Sequence, residues 1–544
     1  MWSGYVCCWT STGIQPDSRR PGNFVSHRRM RRWTMVDQQL IDRLADRLTG
    51  SGARITNVAP FTGEPLVTLT QSTPDDVAKA YERARIAQRA WAEVSPAERA
   101  RPFIALHDKV LGNAELLDLI QAETGKARSS AFEETIDIAG LSLYYGRNAA
   151  KFLAPRRRQG ALPGATRTWE LRQPKGVIAI ISPWNYPLSL AVCDLIPALL
   201  AGNAVVLKPD TQTALTALRA RELLVEAGLP EEVWQVVVGE PDVVGQPLLD
   251  EADHVCFTGS TAAGRRIAEA AARRLIGVTL ELGGKNPMLV LDDADVAKAA
   301  RGAMRACFAN AGQLCLSMER IYVADKVYDE FVAKLVAETK SLKLATGYGY
   351  NYDMGSLTSK RQLDIVSRHV EDARAQGATV LAGGKARPDL GPFCYEPTVL
   401  QGVTPNMELY ANETFGPVVS VYPVADDDEA VQLANDTEYG LNASVWTRSA
   451  ERGREVGSRI RCGTVNINEG YGSAYASNDA PMGGMKASGQ GRRHGEHGIL
   501  EYVELQTVAR QRIMGFDRPM GVSAKQFARM ITMTYKLLKR LRIR

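Results

Sequence analysis

Among eight cysteines, Cys315 has the setting least like filler. An isolated cysteine is ordinarily a small buried hydrophobe, and that reading suits Cys256 in "HVCFTG" and Cys307 in an Ala-rich helix. Cys315 instead ends "FANAGQLC", after Asn310, Gly312 and Gln313, and the next strand-like run starts near Arg320. A thiol on a Gly-containing loop is accessible, and its thiolate is a strong nucleophile towards a carbonyl carbon. Local sequence leaves nucleophile and filler both open. Glu281 is the only charge at the end of the apolar run "GVTLEL", with Gly283 and Gly284 close behind. Partial burial there raises a carboxylate pKa towards general-base range; pairing with a nearby Lys or Arg is the other reading. Asn185, in "ISPWNYPLSL" between Trp184 and Pro187, carries an amide able to donate to a developing oxyanion or to shape a turn. Lys208 ends "VVLKPD", a cation where an anionic cofactor could lie. Gly259 and Ser260 of "FTGSTAAG" open a helix, an arrangement that receives phosphate. That segment is neither the Gly-x-Gly-x-x-Gly fingerprint nor a P-loop.

These residues fall at the ends of predicted strands. "GVIAIIS" is a continuous apolar run, suited to a strand covered on both faces. "NAVVLKP", "WQVVVG", "DHVCFTG" and "GVTLELGG" follow, with helix patterns "TALTALRARELLVEAG" and "TAAGRRIAEAAARRL" among them. Gly228 and Pro230 stop the first helix. The alternation predicts a doubly wound α/β domain, whose ligands lie at the carboxyl ends of its strands. A second α/β set follows. Its helix "DVAKAARGAMRACFANAG" leads to Cys315, and its strands are "ERIYVA", "ATVLAGG", "PVVSVYPV", "ASVWT" and "GTVNIN". The region before Gly176 reads as mainly helical to about Leu153. "TRTWELRQP" and "EYVELQTVARQR" alternate like strands outside both domains. Edge strands need partners, so they predict an intersubunit sheet.

Composition bounds the function classes. The 544 residues are 45% hydrophobic and 23% charged, ordinary for a globular chain of two or three domains. No run of about 18 apolar residues occurs, so no spanning helix is expected. Scattered cysteines and six histidines argue against a zinc site or a disulfide framework, and for a reducing cytoplasm. The net charge of +5 comes from the ends: residues 1–35 carry +5 and residues 512–544 carry +8, leaving −8 on the body. The basic balance is therefore no argument for nucleic-acid binding. Residues 1–35, Arg-rich with Pro and Gly, read as a disordered extension, and "MVDQQLIDRLADRL" from Met35 reads as the first amphipathic helix.

The ordered motifs "PWNYP", "GNAVVLKP", "FTGS", "ELGGKNP", "FANAGQLC", "NETFGP", "YGLNASVW", "GTVNIN" and "PMGGMKASGQGR" resemble the aldehyde dehydrogenase superfamily from about residue 50 to 512. Within it, the chain looks most like bacterial NADP-linked succinate-semialdehyde dehydrogenases. The resemblance implies two doubly wound, Rossmann-like domains plus a small oligomerisation sheet. On that pattern, 36–153 with 174–283 bind the dinucleotide and 284–490 form the catalytic domain. Residues 154–173 with 498–512 supply oligomerisation strands of a homodimer or homotetramer, and 513–544 are a tail. It implies that Cys315 is the nucleophile, that Asn185 and the Cys315 N–H form the oxyanion hole, and that Glu281 activates water. Trp184, Lys208, Thr211, Gly259, Ser260, Leu282, Glu413 and Phe415 would bind the cofactor. No metal is implied. A non-catalytic relative and an acylating, coenzyme A-dependent enzyme are the competing classes.

Two departures bear on specificity. NAD-preferring relatives often place Glu three residues after the cofactor lysine; here that position is Thr211, which would not repel a 2′-phosphate. NADP is therefore expected, with NAD as the alternative. A succinate semialdehyde carries a carboxylate that Arg would clamp best. The segment where some relatives place that Arg reads "AVCDL", with Cys193 and Asp194, and Met482 replaces the Phe of a Pro-Phe-Gly-Gly motif. A medium-chain, fatty or aromatic aldehyde is thus the alternative substrate. In the tail, Phe527, Met530, Ile531, Leu538 and Leu541 recur at helical spacing among basic residues. Such a pattern suits either an anionic membrane surface, touched by 520–544, or docking on the body.

Overall fold

In this computed structural model the described residues are 36–160, 165–512 and 517–543; the extension expected at 1–35 lies outside them. Val177–Ser182, the run "VIAIIS", is buried at five of six positions. Successive strand residues face opposite sides, so near-continuous burial means both faces are covered. The strand sits inside a six-stranded sheet of order Gly489–Gln490, Gly277–Glu281, His254–Thr258, Val177–Ser182, Ala204–Pro209, Trp234–Val236. All neighbours run parallel except Gly489–Gln490, which pairs antiparallel with Gly277–Glu281. The register sets Ser182 beside Pro209 and Thr258 beside Glu281. Asn185, Lys208, Gly259 and Glu281 therefore issue from one edge of one sheet.

Four residues, 282–285, carry the chain from Glu281 into Asn286–Val290 of a seven-stranded sheet. Its order is Thr379–Ala382, Thr398–Gln401, Val418–Val424, Met318–Ala324, Asn286–Val290, Asn442–Trp446, Thr464–Ile467, parallel but for the first pair. Asn286 lies opposite Met318. Cys315 thus stands three residues before the neighbour of the strand that follows Glu281, and the crevice between the sheets is where the two sets of residues meet.

The helix before Cys315 is shorter than its periodicity predicts. It spans Val296–Phe308, and the chain then turns through Asn310, Ala311 and Gly312 at φ 50°, 54° and 70°. Left-handed backbone costs non-glycine residues about 1–2 kcal/mol each, so tertiary contacts hold this turn. The hairpin Arg54–Val58 with Pro65–Thr70 departs from the mainly helical reading of that region; its strands are short and largely exposed, so they leave little apolar alternation to read. "TRTWELRQP" and "VELQTVARQ" are strands as expected, but they pair with each other within the chain, Thr166–Pro174 against Val503–Gln511, with Arg156–Arg158 as a third strand. No helix among the described residues is long and apolar enough to cross a membrane.

Candidate active site

A cavity of about 340 Å³ opens between the two sheets. Nine of the eleven predicted site residues line it: Trp184, Asn185, Gly259, Ser260, Glu281, Leu282, Cys315, Glu413 and Phe415. Lys208 and Thr211 do not. They lie further along the same sheet edge, on Ala204–Pro209 and the turn after it, and both are buried.

Cys315 is half-buried. Burial, then the Glu413 and Glu281 carboxylates, push its thiol up to about 12. The resting sulfur is therefore a neutral thiol, and its nucleophilic fraction grows as pH rises. The loop around it is cross-tied to the Asn185 loop. Asn310 Nδ2 donates to the carbonyls of Asn185 and Gln313, both at 3.0 Å, while Asn185 Nδ2 donates to Gln313 O at 3.1 Å. Gln313 Oε1 accepts from Thr358 N at 2.9 Å. From the other side, Asn286 Nδ2 donates to the Cys315 and Ser317 carbonyls at 2.7 and 2.8 Å. A Cβ on Gly312 would lie 2.0 Å from Gly416 O, so only glycine lets the thiol loop approach the loop bearing Phe415.

Glu281 ends its strand 4% exposed, and its Oε1 has no hydrogen-bond partner. Burial pushes its carboxyl up to about 7, with Arg493 pulling down and Asp194 pushing up. Among the described residues no Lys or Arg bonds Glu281 directly, which favours the general-base reading over the paired one. The expected difficulty with Asp194 also resolves. Arg493 donates to it from Nε at 3.0 Å and from the second guanidinium nitrogen at 2.6 Å, and the Tyr502 hydroxyl adds a bond at 3.1 Å. Against the upward push of burial, that guanidinium holds the Asp194 carboxyl below its usual range.

Two buried ion pairs position the remaining loops, and the residue patterns singled out neither. Lys126 and Glu134 meet at 2.6 Å with no exposure. Lys126 Nζ donates to Asn185 O at 2.7 Å, and Glu134 Oε2 accepts from the N–H groups of Leu188 and Ser189, in the first turn of Pro187–Val192. The pair grips the Asn185 loop on both sides. Lys285 pairs with Glu319, whose carboxylate accepts from the backbone N–H groups of Thr414 and Phe415. That fixes Glu413 and Phe415, the latter at φ 53°, with its ring edge-on to Trp184 at 5.6 Å. Lys285 and Asn286 stand in "GGKNP", where a Lys and an Asn directly after a glycine pair were the available signal; Lys126 in "ETGKAR" offered none.

Lys126→Met should leave Glu134 buried and unpaired, destabilising the fold by about 3–5 kcal/mol. Adding Glu134→Gln should recover most of the melting temperature but not turnover, because Asn185 O still lacks the Lys126 ammonium and keeps only the Asn310 amide. Thermal melts and kcat on both variants check this.

Lys208 is a cation in search of an anion. The residue is 7% exposed, and among the described residues the bond its ammonium makes is a 3.5 Å contact to Pro209 O. Burial lowers its pKa, while Asp210 and Glu240 raise it. Ser260 caps the helix Thr261–Arg274, whose first N–H groups point along the same edge. Glu413 accepts from Gly284 N at 3.0 Å, and burial followed by Glu319 pushes its carboxyl up to about 8. Packed with Cys315 is an apolar and aromatic cluster of Tyr186, Leu314, Leu316, Tyr471 and Met482, with Leu190, which also lines the cavity, and Tyr475 against it. Among the described residues no group of three or more His, Cys, Asp or Glu could hold a metal ion.

The model of the aldehyde dehydrogenase family matches residues 48–508. A Mycolicibacterium smegmatis protein provisionally named as a succinate-semialdehyde dehydrogenase [NADP(+)] is 54% identical over 482 residues, 88% of this chain and 93% of its own. The crystal structure of an Escherichia coli NADP-dependent enzyme superposes with a TM-score of 0.81 at 34% identity, covering 85% of this chain and 95% of that one. A point mutant of Staphylococcus aureus betaine aldehyde dehydrogenase, solved with NAD+, gives 0.83 at 32% identity, covering 87% and 97%.

Proposed function

Since the chain belongs to the aldehyde dehydrogenase family, we propose that it oxidises succinate semialdehyde to succinate through a thioester on Cys315, with NADP as hydride acceptor. The convergence of Cys315, Glu281 and Asn185 on one cavity carries this reading. A dinucleotide fits the residues present: Lys208 is buried without an anion, Ser260 opens a helix N-terminus, and Glu413 and Phe415 are held rigidly beside Trp184. Lys208 and Thr211 would hold the adenosine end, Gly259 and Ser260 the pyrophosphate, and Leu282, Glu413, Phe415 and Trp184 the nicotinamide end. Bound NADP supplies an acceptor for the hydride that the Cys315 adduct loses.

The chain's own residues do the rest. Cys315 Sγ adds to the aldehyde carbon as the thiol proton passes to solvent water. The adduct's oxygen takes hydrogen bonds from Asn185 Nδ2 and the Cys315 N–H. Loss of hydride leaves a thioester on Sγ. Glu281, ionised above pH 7, takes a proton from water, and the resulting hydroxide attacks the thioester carbonyl. The acid leaves and the thiol is restored. Transfer to coenzyme A would not need a buried base, so the unpartnered Glu281 carboxylate favours hydrolysis over acylation. The same three residues argue against a non-catalytic relative.

The name of the Mycolicibacterium relative supports succinate semialdehyde and NADP. The apolar and aromatic cluster beside the thiol supports a second reading, a medium-chain, fatty or aromatic aldehyde, because the cations that touch it are already paired: Lys126, over Tyr186, with Glu134, and Arg305, over Tyr471, with Glu133. Steady-state kcat/KM for a panel of aldehydes with NADP and NAD separates the two. Highest kcat/KM on succinate semialdehyde sustains the first, and preference for uncharged aldehydes overturns it. In the same assay Thr211→Glu should shift preference towards NAD by about tenfold or more, roughly 1.4 kcal/mol, by placing a carboxylate against a 2′-phosphate. An unchanged ratio would remove Thr211 from cofactor selection. Val503–Gln511 leaves an edge open, with Leu505 61% and Val508 41% exposed; this supports a homodimer or homotetramer joined through that edge.

A further inference from the structure

The helix Ala524–Arg540 has no buried residue. It is nonetheless a built element: Ser523 and Gln526 close a capping box at its start, and Gln159 Nε2 donates to Ile543 O at 2.6 Å just past its end. Its side chains divide into three arcs. Phe527, Ile531 and Leu538 are half-buried. Met530, Met533, Leu537 and Leu541 form a neighbouring stripe at spacings of three and four, exposed to solvent; Met533 is 69% and Leu537 55% exposed. Arg529, Lys536 and Arg540 edge the groove that Met530, Met533 and Leu537 line. Between 518 and 544 stand eight Lys or Arg and no Asp or Glu.

From this arrangement we infer that the helix docks the protein on an anionic lipid bilayer. Apolar side chains enter the interface and flanking cations meet lipid phosphates, the chemistry of an interfacial amphipathic helix. Methionine and leucine suit a fluid, irregular partner better than a fixed one. The competing occupant is the acidic body of a second copy. A stripe about 17 Å long and one side chain wide offers far less than the roughly 800 Å² per partner of a stable dimer. The bond of Gln159 to Ile543 O past the helix end ties this segment to the body, and the stripe is exposed with its cations beside it. The inference stands independently of which aldehyde is oxidised.

Flotation of the full chain with vesicles of equimolar phosphatidylglycerol and phosphatidylcholine, and with phosphatidylcholine alone, tests it. The chain should float with the first and not the second, and high salt should release it. Met533→Glu/Leu537→Glu should lose the bound fraction by about tenfold or more with aldehyde oxidation unchanged, since these residues are remote from the cavity. Lys536→Gln/Arg540→Gln should lower binding to the anionic vesicles by a similar factor. Absence of flotation, equal binding to neutral vesicles, or full binding by the Met533→Glu/Leu537→Glu chain would overturn the inference. A smaller oligomer for that variant without vesicles would overturn it too, and assign the stripe to a second copy.

Discussion

Cys315→Ala is expected to lower kcat/KM for aldehyde oxidation by at least about 10³-fold while leaving the fold and cofactor binding in place. The loop does not depend on the sulfur. Its backbone is held by Asn286, Asn310 and Gln313, and a half-buried sulfur can be removed with little loss of packing. Among the described residues no other cysteine lines the cavity. Cys307, eight residues earlier, is 1% exposed in the helix core, where burial pushes its thiol far up. NADPH formation, a thermal melt and a cofactor titration together check this. Substantial NADPH formation by a folded Cys315→Ala chain would mean that oxidation needs no sulfur.

Glu281→Gln should separate the two halves of the reaction. The first turnover needs a nucleophile and a hydride acceptor, so a burst of NADPH should persist. Steady turnover needs water activated against the thioester, and should fall by about 10²-fold or more. In the unaltered chain the steady rate should rise with pH through about 7 and then level, as the buried carboxyl loses its proton. That inflection should vanish in the variant. Stability moves in the opposite sense. A carboxyl raised from 4.5 to about 7 by folding contributes stability below its ordinary range that is lost as pH rises through 7. Glu281→Gln should therefore melt no lower than the unaltered chain above pH 7, where the latter carries a buried charge with an unpartnered oxygen. A variant that lost both burst and melting temperature would make Glu281 structural.

What the residues revealed beforehand was the edge of the first sheet. Apolar runs such as "VIAIIS" read as strands covered twice, and four of the five lead to a residue of the site. The thiol loop was less legible. Periodicity carries the helix through Asn310, yet the chain breaks at Phe308, because bonds from Asn310 to Asn185 and Gln313 stabilise a left-handed turn that no local propensity favours. Long-range ion pairs were invisible for the same reason. Nothing local joins Lys126 to Asn185 or Arg493 to Asp194, 299 positions apart. The Asp194 difficulty arose from reading one half of such a pair.

The thioester is the centre of the account, and it can be weighed. Glu281→Gln, mixed with succinate semialdehyde and NADP and quenched in acid, should gain the mass of one succinyl group, located by peptide mapping on Cys315. The adduct should be absent without NADP and absent in Cys315→Ala/Glu281→Gln. A burst of NADPH with no acyl adduct, or an adduct on another cysteine, would contradict the mechanism.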